Sequence, residues 1–498
     1  MNYKKLILIA IAAIVSIAGA VTVTAYQTNN KPSVLIFPKG STYEKEWKKV
    51  DSLAKKGLNK SALDVVTGIY DKAKADNNAS QFVKAIIHRM KFEQKMEEFS
   101  LVKALNKLNE EAKEAKYPVK PILHSIIAES YWNYYQNNRW NFYNRTATAS
   151  FENTDITTWD LKTIFDQVIK NYELSLIASD SLKRTPLNIY DDILIKYSNS
   201  RKFRPTLYDF LAHRAVDFYM NEEPEITRPA YKFEINSDSY FWNYADFSKI
   251  KIESKDTLSL KYYAIKALQE LILFHSKDEN PQALINVDIK RLKFVRSKSI
   301  SEIKDSLYLT GLQNLEKQFS DNPASAEVSY EIASYYHEKG NKYEPLRGDE
   351  QKWMNKQAVE LCDAVIKKYP TTDAAKNCEV LKASILAHAL NFTAEKVIIP
   401  LKASRALITY KNLKTVYVRI AEMDIDKYNK TIERLYGEKL IQEYLKLKSV
   451  KEYTVELIDD GDYQTHTTEI KIPELEFGHY VILVSSDKTF SYNENAIA

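Results

Sequence analysis

The hydrophobic period of this chain changes once along its length, and that change limits what it can fold into. From about Thr42 to Asn391 apolar residues recur at intervals of three and four, with breaks roughly every 15 to 20 residues. From Phe392 onward they alternate. A helix turns through about 100° per residue and a strand through about 180°, so the first pattern buries a stripe and the second buries a face. Neither pattern serves in place of the other. A helical region over residues 42–391 followed by a β domain over residues 392–498 is therefore expected.

"SALDVVTGIYDKAKA" carries the first pattern: Leu63, Val66, Ile69, Tyr70 and Ala73 share a face, with Ser61 as candidate cap. "QFVKAIIHRMKFEQKM", "LKTIFDQVIKNYELSLI", "LYDFLAHRAVDFYM" and "SLKYYAIKALQELILFH" repeat it. Near the end of the region, "AVELCDAVIKKYPTTDAAKNCEVLKASI" spaces Ala358, Cys362, Val365 and Pro370 like the second helix and closing proline of a tetratricopeptide repeat. "YEIASYYHEKG" reads as the first helix of that pair, and the loop between them, "GNKYEPLRGDEQ", is longer than in a regular repeat. An irregular tetratricopeptide-like α-helical solenoid is expected, each helix pair burying the apolar face of the next. Residues Ile226 to Ile252 lack helical spacing and read as an extended insertion packed on the helices.

The β region offers six strands, drawn from "VIIPLKASRALITYKNLKTVYVRIAEMD", "VKEYTVELID", "HTTEIKIP" and "GHYVILVSS". Val416, Val418 and Ile420 point one way, and Tyr417, Arg419 and Ala421 the other. A charged helical insertion interrupts them at about 424–446. An Ig-like β-sandwich accounts for this arrangement.

At the other end, Lys4 and Lys5 precede an apolar run from Leu6 to Val23 and then small residues, the layout of an export leader over residues 1–25. The run is long enough to serve instead as an uncleaved membrane anchor through residues 6–23. Residues 26–41 follow as a linker, and no cysteine beside the leader is available for lipid attachment. The mature protein is expected in the cell envelope, periplasmic or membrane-anchored.

Lysine and arginine number 71 against 66 acidic residues, so the formal charge is +5. Removing Lys4 and Lys5 with the leader leaves +3. Nucleic-acid binding, which needs a concentrated basic face, is not expected. Ten glycines in the whole chain leave little material for phosphate loops or nucleophile elbows. There is no His-Glu-x-x-His; His337-Glu338 is followed by Lys339-Gly340, which supplies no second ligand. Asp191-Asp192 and Asp459-Asp460 are adjacent pairs whose side chains point apart, and Asp459, Asp460 and Asp462 lack the downstream glutamate of a calcium loop. Cys362 and Cys378, the only cysteines, exclude a disulfide scaffold and a four-thiolate zinc site. They lie on neighbouring antiparallel helices at similar distances from Tyr369-Pro370, either as two small core residues or as a disulfide. No catalytic, cofactor-binding or metal residue is assigned, and the chain does not read as an enzyme.

"YWNYYQNNRWNFYNRT", Tyr131 to Thr146, holds seven aromatic side chains. Tyr131, Tyr134 and Tyr135 extend the apolar face of Leu123, Ile127 and Ala128. Asn137-Asn138 is expected to end the helix, leaving Trp140, Phe142 and Tyr143 to pin the next loop to the core, so that alanine at Trp140 lowers stability. The alternative is a ligand platform for a glycan.

These terminal strands, in "VIIPLKASRALITYKNLKTVYVRIAEMD" and "IKIPELEFGHYVILVSSD", resemble the first macroglobulin-type domain of the alpha-2-macroglobulin family, in particular of exported bacterial members with a long helical region ahead of it. Tyr417 to Arg419 match its strand after a short turn, and Pro473, Leu475, Gly478 and Tyr480 match its edge leading into an inner strand. "NRWNFYNRT" and "DITTWDLKTIFDQVIKNYELSL" resemble the helical part of such proteins. The resemblance implies an endopeptidase inhibitor that traps proteases, its partners, through downstream parts of a longer chain. The family's thioester forms in a Cys-Gly-Glu-Gln motif; neither Cys362 in "ELCDAV" nor Cys378 in "KNCEVL" has that context, so no site residue transfers. The family sandwich has seven strands, so six strands ahead of "SYNENAIA" imply an N-terminal fragment with an incomplete sandwich. Two other readings compete: a noncatalytic tetratricopeptide scaffold for envelope proteins, and a helical outer-membrane glycan-binding protein.

Overall fold

The structure is a computed structural model that describes residues 38–498 except 97–99, 144–154, 198, 222–230, 257, 429–433, 492–494 and 498. The leader lies outside the described residues, and among those described no helix is long and apolar enough to cross a membrane. The chain divides into two compact units, one up to Glu302 and one from Ile303 to Ala498.

The first unit is helical. Helices Tyr43–Lys55, Asn59–Ala75, Ala79–Gln94, Ser100–Glu114 and Val119–Tyr143 pack in sequence, followed by Leu161–Leu174, Leu207–Tyr219, Leu260–His275 and Gln282–Lys298 with shorter turns between. Most begin where a polar side chain takes up a free backbone N–H. Thr42 accepts from Lys45, Asn78 from Gln81, Asp160 from Thr163 and Ser259 from Tyr262. Ser61 is not a cap, because its helix starts two residues earlier, at Asn59, and Leu58 at the N-cap supplies no side-chain bond.

Helix Val119–Tyr143 runs straight through Asn137-Asn138. Asn138 stays inside it by donating from Nδ2 to the Tyr134 carbonyl at 2.9 Å, four residues back. Tyr131, Tyr135 and Phe142 are buried. Trp132 stacks on Tyr135 and meets Phe165 and Phe218, from helices Leu161–Leu174 and Leu207–Tyr219. Asn109 donates to the Tyr131 hydroxyl at 2.9 Å, which satisfies that ring's polar tip. Trp140 corrects the expectation: it is 75 % exposed. It stands nine residues beyond Tyr131, and at about 100° per residue that is half a revolution away from the buried face. Trp140→Ala should therefore change the unfolding free energy by less than about 0.5 kcal/mol in a urea titration. The end of the motif, residues 144–146, lies outside the described residues.

Of the insertion read over Ile226 to Ile252, the described part is extended around Ile235, which bridges Ser299, but it also contains two short helical turns, Asp238–Phe241 and Tyr244–Phe247. Tyr240, Phe241 and Phe247 are buried, so the segment closes over the helices with these three rings inward, while Tyr231 and Trp242 are exposed.

In the second unit, helices Lys304–Gln318, Ser325–Gly340, Met354–Lys368 and Asp373–Leu386 pack in sequence. Their shared core is unusually small-sided: Ala326, Ala333, Ala358, Cys362, Ala374, Ala375 and Cys378 are all buried in it. Small side chains bring helix axes close, which is what their spacing implied. Seven strands follow: β1 Ala389–Ala394, β2 Ser404–Lys411, β3 Thr415–Glu422, β4 Ser449–Glu456, β5 Thr465–Ile472, β6 Tyr480–Ser485 and β7 Asn495–Ile497. They form two antiparallel sheets, in the orders β1-β2-β5 and β4-β3-β6-β7. Phe392, Ile408 and Ile470 from the first sheet and Val416, Val418, Ile420 and Val484 from the second make one core.

Two details of the strand reading change. The "VIIP" stretch is a connection, with Val397 and Ile399 exposed, and the first strand lies just ahead of it, from Ala389. The seventh strand lies in "NENAIA", where Asn495 to Ile497 pair with Ser485 to Leu483, so the sandwich is not one strand short and the expectation of an incomplete one is not met. Three residues are too few to display a period of two, so the alternation counted six. Within the insertion between β3 and β4, helix Glu438–Leu445 covers the outer face of the second sheet with Ile441 and Tyr444. β6 is thereby buried on both faces, and its sequence "YVILVS" is continuously apolar instead of alternating. Arg419, on that outer face, donates to the Leu445 and Leu447 carbonyls at 3.1 and 3.0 Å and so closes the helix's C-terminal end.

Candidate functional site

Polar groups converge most densely, within the second unit, where the β4–β5 connection meets helix Met354–Lys368. The connection "IDDGDYQ" turns back on itself through left-handed backbone at Gly461, φ 70°, and Tyr463, φ 57°. Its three acidic side chains then serve different partners. Asp459 accepts from the Gly461 N–H at 3.0 Å, and Asp460 pairs with Lys352 at 2.8 Å. Asp462, fully buried, accepts from the Gln464 N–H and meets His466 Nε2, both at 2.9 Å. The hydrogen bond between Lys352 and Asp460 raises the lysine pKa and lowers that of the carboxyl, so the pair is ionised. Among the described residues no group of three or more His, Cys, Asp or Glu is disposed to hold a metal ion.

Asn355 is the centre of this joint and is 1 % exposed. Its Nδ2 donates to the Tyr463 carbonyl at 3.1 Å, and its Oδ1 accepts from His337 Nδ1 at 2.8 Å. His337 is thus a bridge between helices, its other nitrogen accepting from Asn341 at 3.1 Å. Gly340 makes room for it: a Cβ there would sit 2.7 Å from Asn355 Oδ1 and 3.0 Å from its backbone nitrogen. Gln464 Nε2 adds a bond to the Lys352 carbonyl at 2.9 Å, and the Tyr463 ring packs on the small-residue core. Asn355→Ala leaves the His337 N–H and the Tyr463 carbonyl without these partners, and should cost about 1–3 kcal/mol in chemical denaturation followed on the second unit.

In the first unit a buried acid–histidine chain sits between two helix ends. Thr206 and Asp209 form a capping box at the start of helix Leu207–Tyr219, Asp209 Oδ2 accepting from the Thr206 N–H at 2.9 Å and its hydroxyl at 2.8 Å. Asp209 Oδ1 meets His275 Nε2 at 2.6 Å, and His275 Nδ1 meets Asp278 Oδ2 at 2.7 Å. Burial alone would lower the pKa of His275, but the hydrogen bonds and charges of Asp209 and Asp278 outweigh it and hold the pKa above 6.5. Close by, His213 is buried without such carboxylates, and burial pushes its pKa well below 6.5. The arrangement looks like the orienting half of a catalytic triad, but the only hydroxyl on it, that of Thr206, is spent on Asp209. It ties the start of one helix to the end of another.

The remaining residues singled out from the sequence have structural partners. Asp191 pairs with Lys196 and Arg201, while Asp192 accepts from Gln81, so this acidic pair does diverge. Leu475 is buried and its carbonyl accepts from Leu401 N at 2.8 Å, while the Tyr480 hydroxyl donates to the Glu476 carbonyl at 3.1 Å. Cys362 and Cys378 are both free and fully buried in the same core. The acid–histidine chain was not read from the sequence. "TLYD" at 206–209 signals the capping box, but nothing local connects it to a histidine 66 positions on.

Compared with protein-family models, curated proteins and solved structures, the chain has no significant match.

Proposed function

We propose that this chain is the N-terminal framework part of an exported alpha-2-macroglobulin-like protein that traps or inhibits endopeptidases and carries no catalytic site of its own. What carries the reading is the strand arrangement: seven antiparallel strands in sheets of three and four around one core, following a helical region. Seven is the strand number of the macroglobulin-type sandwich that the sequence resembles. The pairings of β2 with β5 and of β3 with β6 alternate between the sheets as in Ig-like sandwiches. Arg419, part of the resembling strand, is used to seat the insertion helix, which suits a framework role.

Helices Ser325–Gly340 and Met354–Lys368, with their alanine and cysteine core, support a tetratricopeptide-like packing of the last helices. Asn355 on helix Met354–Lys368 and Lys352 just ahead of it grip the β4–β5 connection, so that a load on the sandwich passes to the helices of the same unit. Such a grip suits a support that must hold while other parts of a trap rearrange. Proteases are the proposed partners, reached through downstream parts of a longer chain, and the envelope is the proposed location.

A protease-protection assay on the full-length protein tests the function. Trapping predicts that cleavage of large protein substrates falls while small peptide substrates are still cut. Equal cleavage of both removes the trapping mechanism. Reading the coding DNA beyond Ala498 tests the framework assignment independently: further sandwich domains support it, and an immediate stop overturns it.

A further inference from the structure

Cys362 and Cys378 occupy matching heights on two helices that run in opposite directions. Cys362 lies six residues before the end of helix Met354–Lys368, and Cys378 five residues after the start of helix Asp373–Leu386. At about 1.5 Å per residue both stand roughly 8 to 9 Å from the connecting turn. Ala358, Ala374 and Ala375 share their core and allow the helices to close up. The two side chains have no exposed surface and lie in the same buried cluster. A pair placed in this way is more than two small residues filling space.

We propose that Cys362 and Cys378 form a redox site, a dithiol that an external disulfide oxidises to an intramolecular disulfide, stapling the last helix pair before β1. The step balances as thiol–disulfide exchange. One cysteine loses its proton and its sulfur attacks the oxidant's S–S bond, giving a mixed disulfide and releasing one thiolate. The second cysteine loses its proton and displaces the other half. Two S–H bonds are broken and one S–S bond is formed, and the oxidant leaves reduced as two thiols. Since both sulfurs are enclosed, the oxidant reaches them as the helix pair opens or before it has closed. The staple falls on the helix that carries Asn355, just after Lys352, so it stiffens the support under the β4–β5 connection.

The probe is oxidised glutathione, applied to the purified full chain with dithiothreitol as the opposite condition. The expected result is the loss of both thiols together, counted after denaturation, with a monomer two hydrogens lighter by intact mass. The melting midpoint of the second unit rises by roughly 5 °C or more, the constraint of a short closed loop, and returns on reduction. Cys362→Ala and Cys378→Ala should each abolish the shift; the thiol count and mass on the unsubstituted protein stand whether or not these variants fold. Two thiols surviving oxidant in partly denaturing urea would overturn the proposal. So would pairing only between chains, or a midpoint that falls when the bond closes.

Discussion

Arg291→Leu is expected to destabilise the first unit by about 3–5 kcal/mol, the cost of leaving a buried charge without its counter-charge. Arg291 has no exposed side-chain surface and lies on helix Gln282–Lys298, where its Nε donates to Asp288 Oδ1 at 2.7 Å, three residues back. Its two terminal nitrogens reach the segment across from the helix, Nη1 donating to the Tyr240 carbonyl and Nη2 to the Trp242 carbonyl at 2.9 Å. The guanidinium also lies 4.4 Å from the centre of the Phe247 ring. One side chain therefore satisfies a buried carboxylate and two backbone carbonyls, and fixes the aromatic segment 238–247 to the helix. Leucine removes all of these bonds at once. Burial already raises the pKa of Asp288 against the pull of Arg291, so without the arginine the carboxyl takes up a proton more readily. Urea unfolding of the variant against the parent measures the loss. Arg291→Lys should recover only part of it, because an ammonium cannot reproduce the planar fork. Adding Asp288→Leu should recover more, since no buried charge is then left over. A loss below about 1 kcal/mol for Arg291→Leu would show that the segment is held by its rings alone.

His275 makes the stability of the same unit depend on pH in a stated direction. Its pKa is raised above 6.5 in the folded protein, because Asp209 and Asp278 outweigh the effect of burial. A raised pKa means that the folded state binds the proton more tightly than the unfolded chain. The stabilisation is therefore fully present below about pH 6.5 and is lost as the pH rises through the folded-state value. His213 works in the opposite sense: burial keeps it neutral, so it opposes folding as the pH falls below its unfolded value near 6.5. Arg204, Lys290, which lies 3.4 Å from His213 and is paired with Asp217, and protonated His275 all disfavour its protonation. Comparing parent with His275→Gln measures the contribution of His275, including its repulsion of a proton on His213. The difference in unfolding free energy should be largest near pH 6 and shrink toward pH 9. His275→Leu leaves Asp209 without its imidazolium and should cost about 3 kcal/mol or more at pH 6. A difference that grows with pH would mean that the ring is not held as the cation.

Much of this architecture was legible along the chain because it rests on neighbours in sequence. Val416, Val418 and Ile420 alternate and are buried in the sandwich core, and Val66, Ile69, Tyr70 and Ala73 share a helix face and are buried together. Where the reading failed, a local rule met a competitor. Asn137-Asn138 has poor helix propensity, yet Asn138 bonds back to its own helix and Tyr131, Tyr135 and Phe142 on either side are buried, so packing overrode propensity. β7 was missed because three residues carry no period, and its pairing with β6 comes from a strand edge that a linear pattern does not display. The acidic stretch Asp459 to Tyr463 forms a turn, and its bonds from Asp460 to Lys352 and from Tyr463 to Asn355 join positions more than a hundred residues apart.

The pattern of side chains along the chain thus sets which face of each element is apolar and where one kind of element gives way to the next, since both follow from the repeat angle of the backbone. What each face is buried against follows from packing in three dimensions. That packing turned Trp140 outward and Arg291 inward, brought His275 between two carboxylates, and set Cys362 and Cys378 in one core. Each of these depends on a partner at a distance that no local repeat encodes, and on the removal of water, which makes an unpaired polar group costly and a paired one specific.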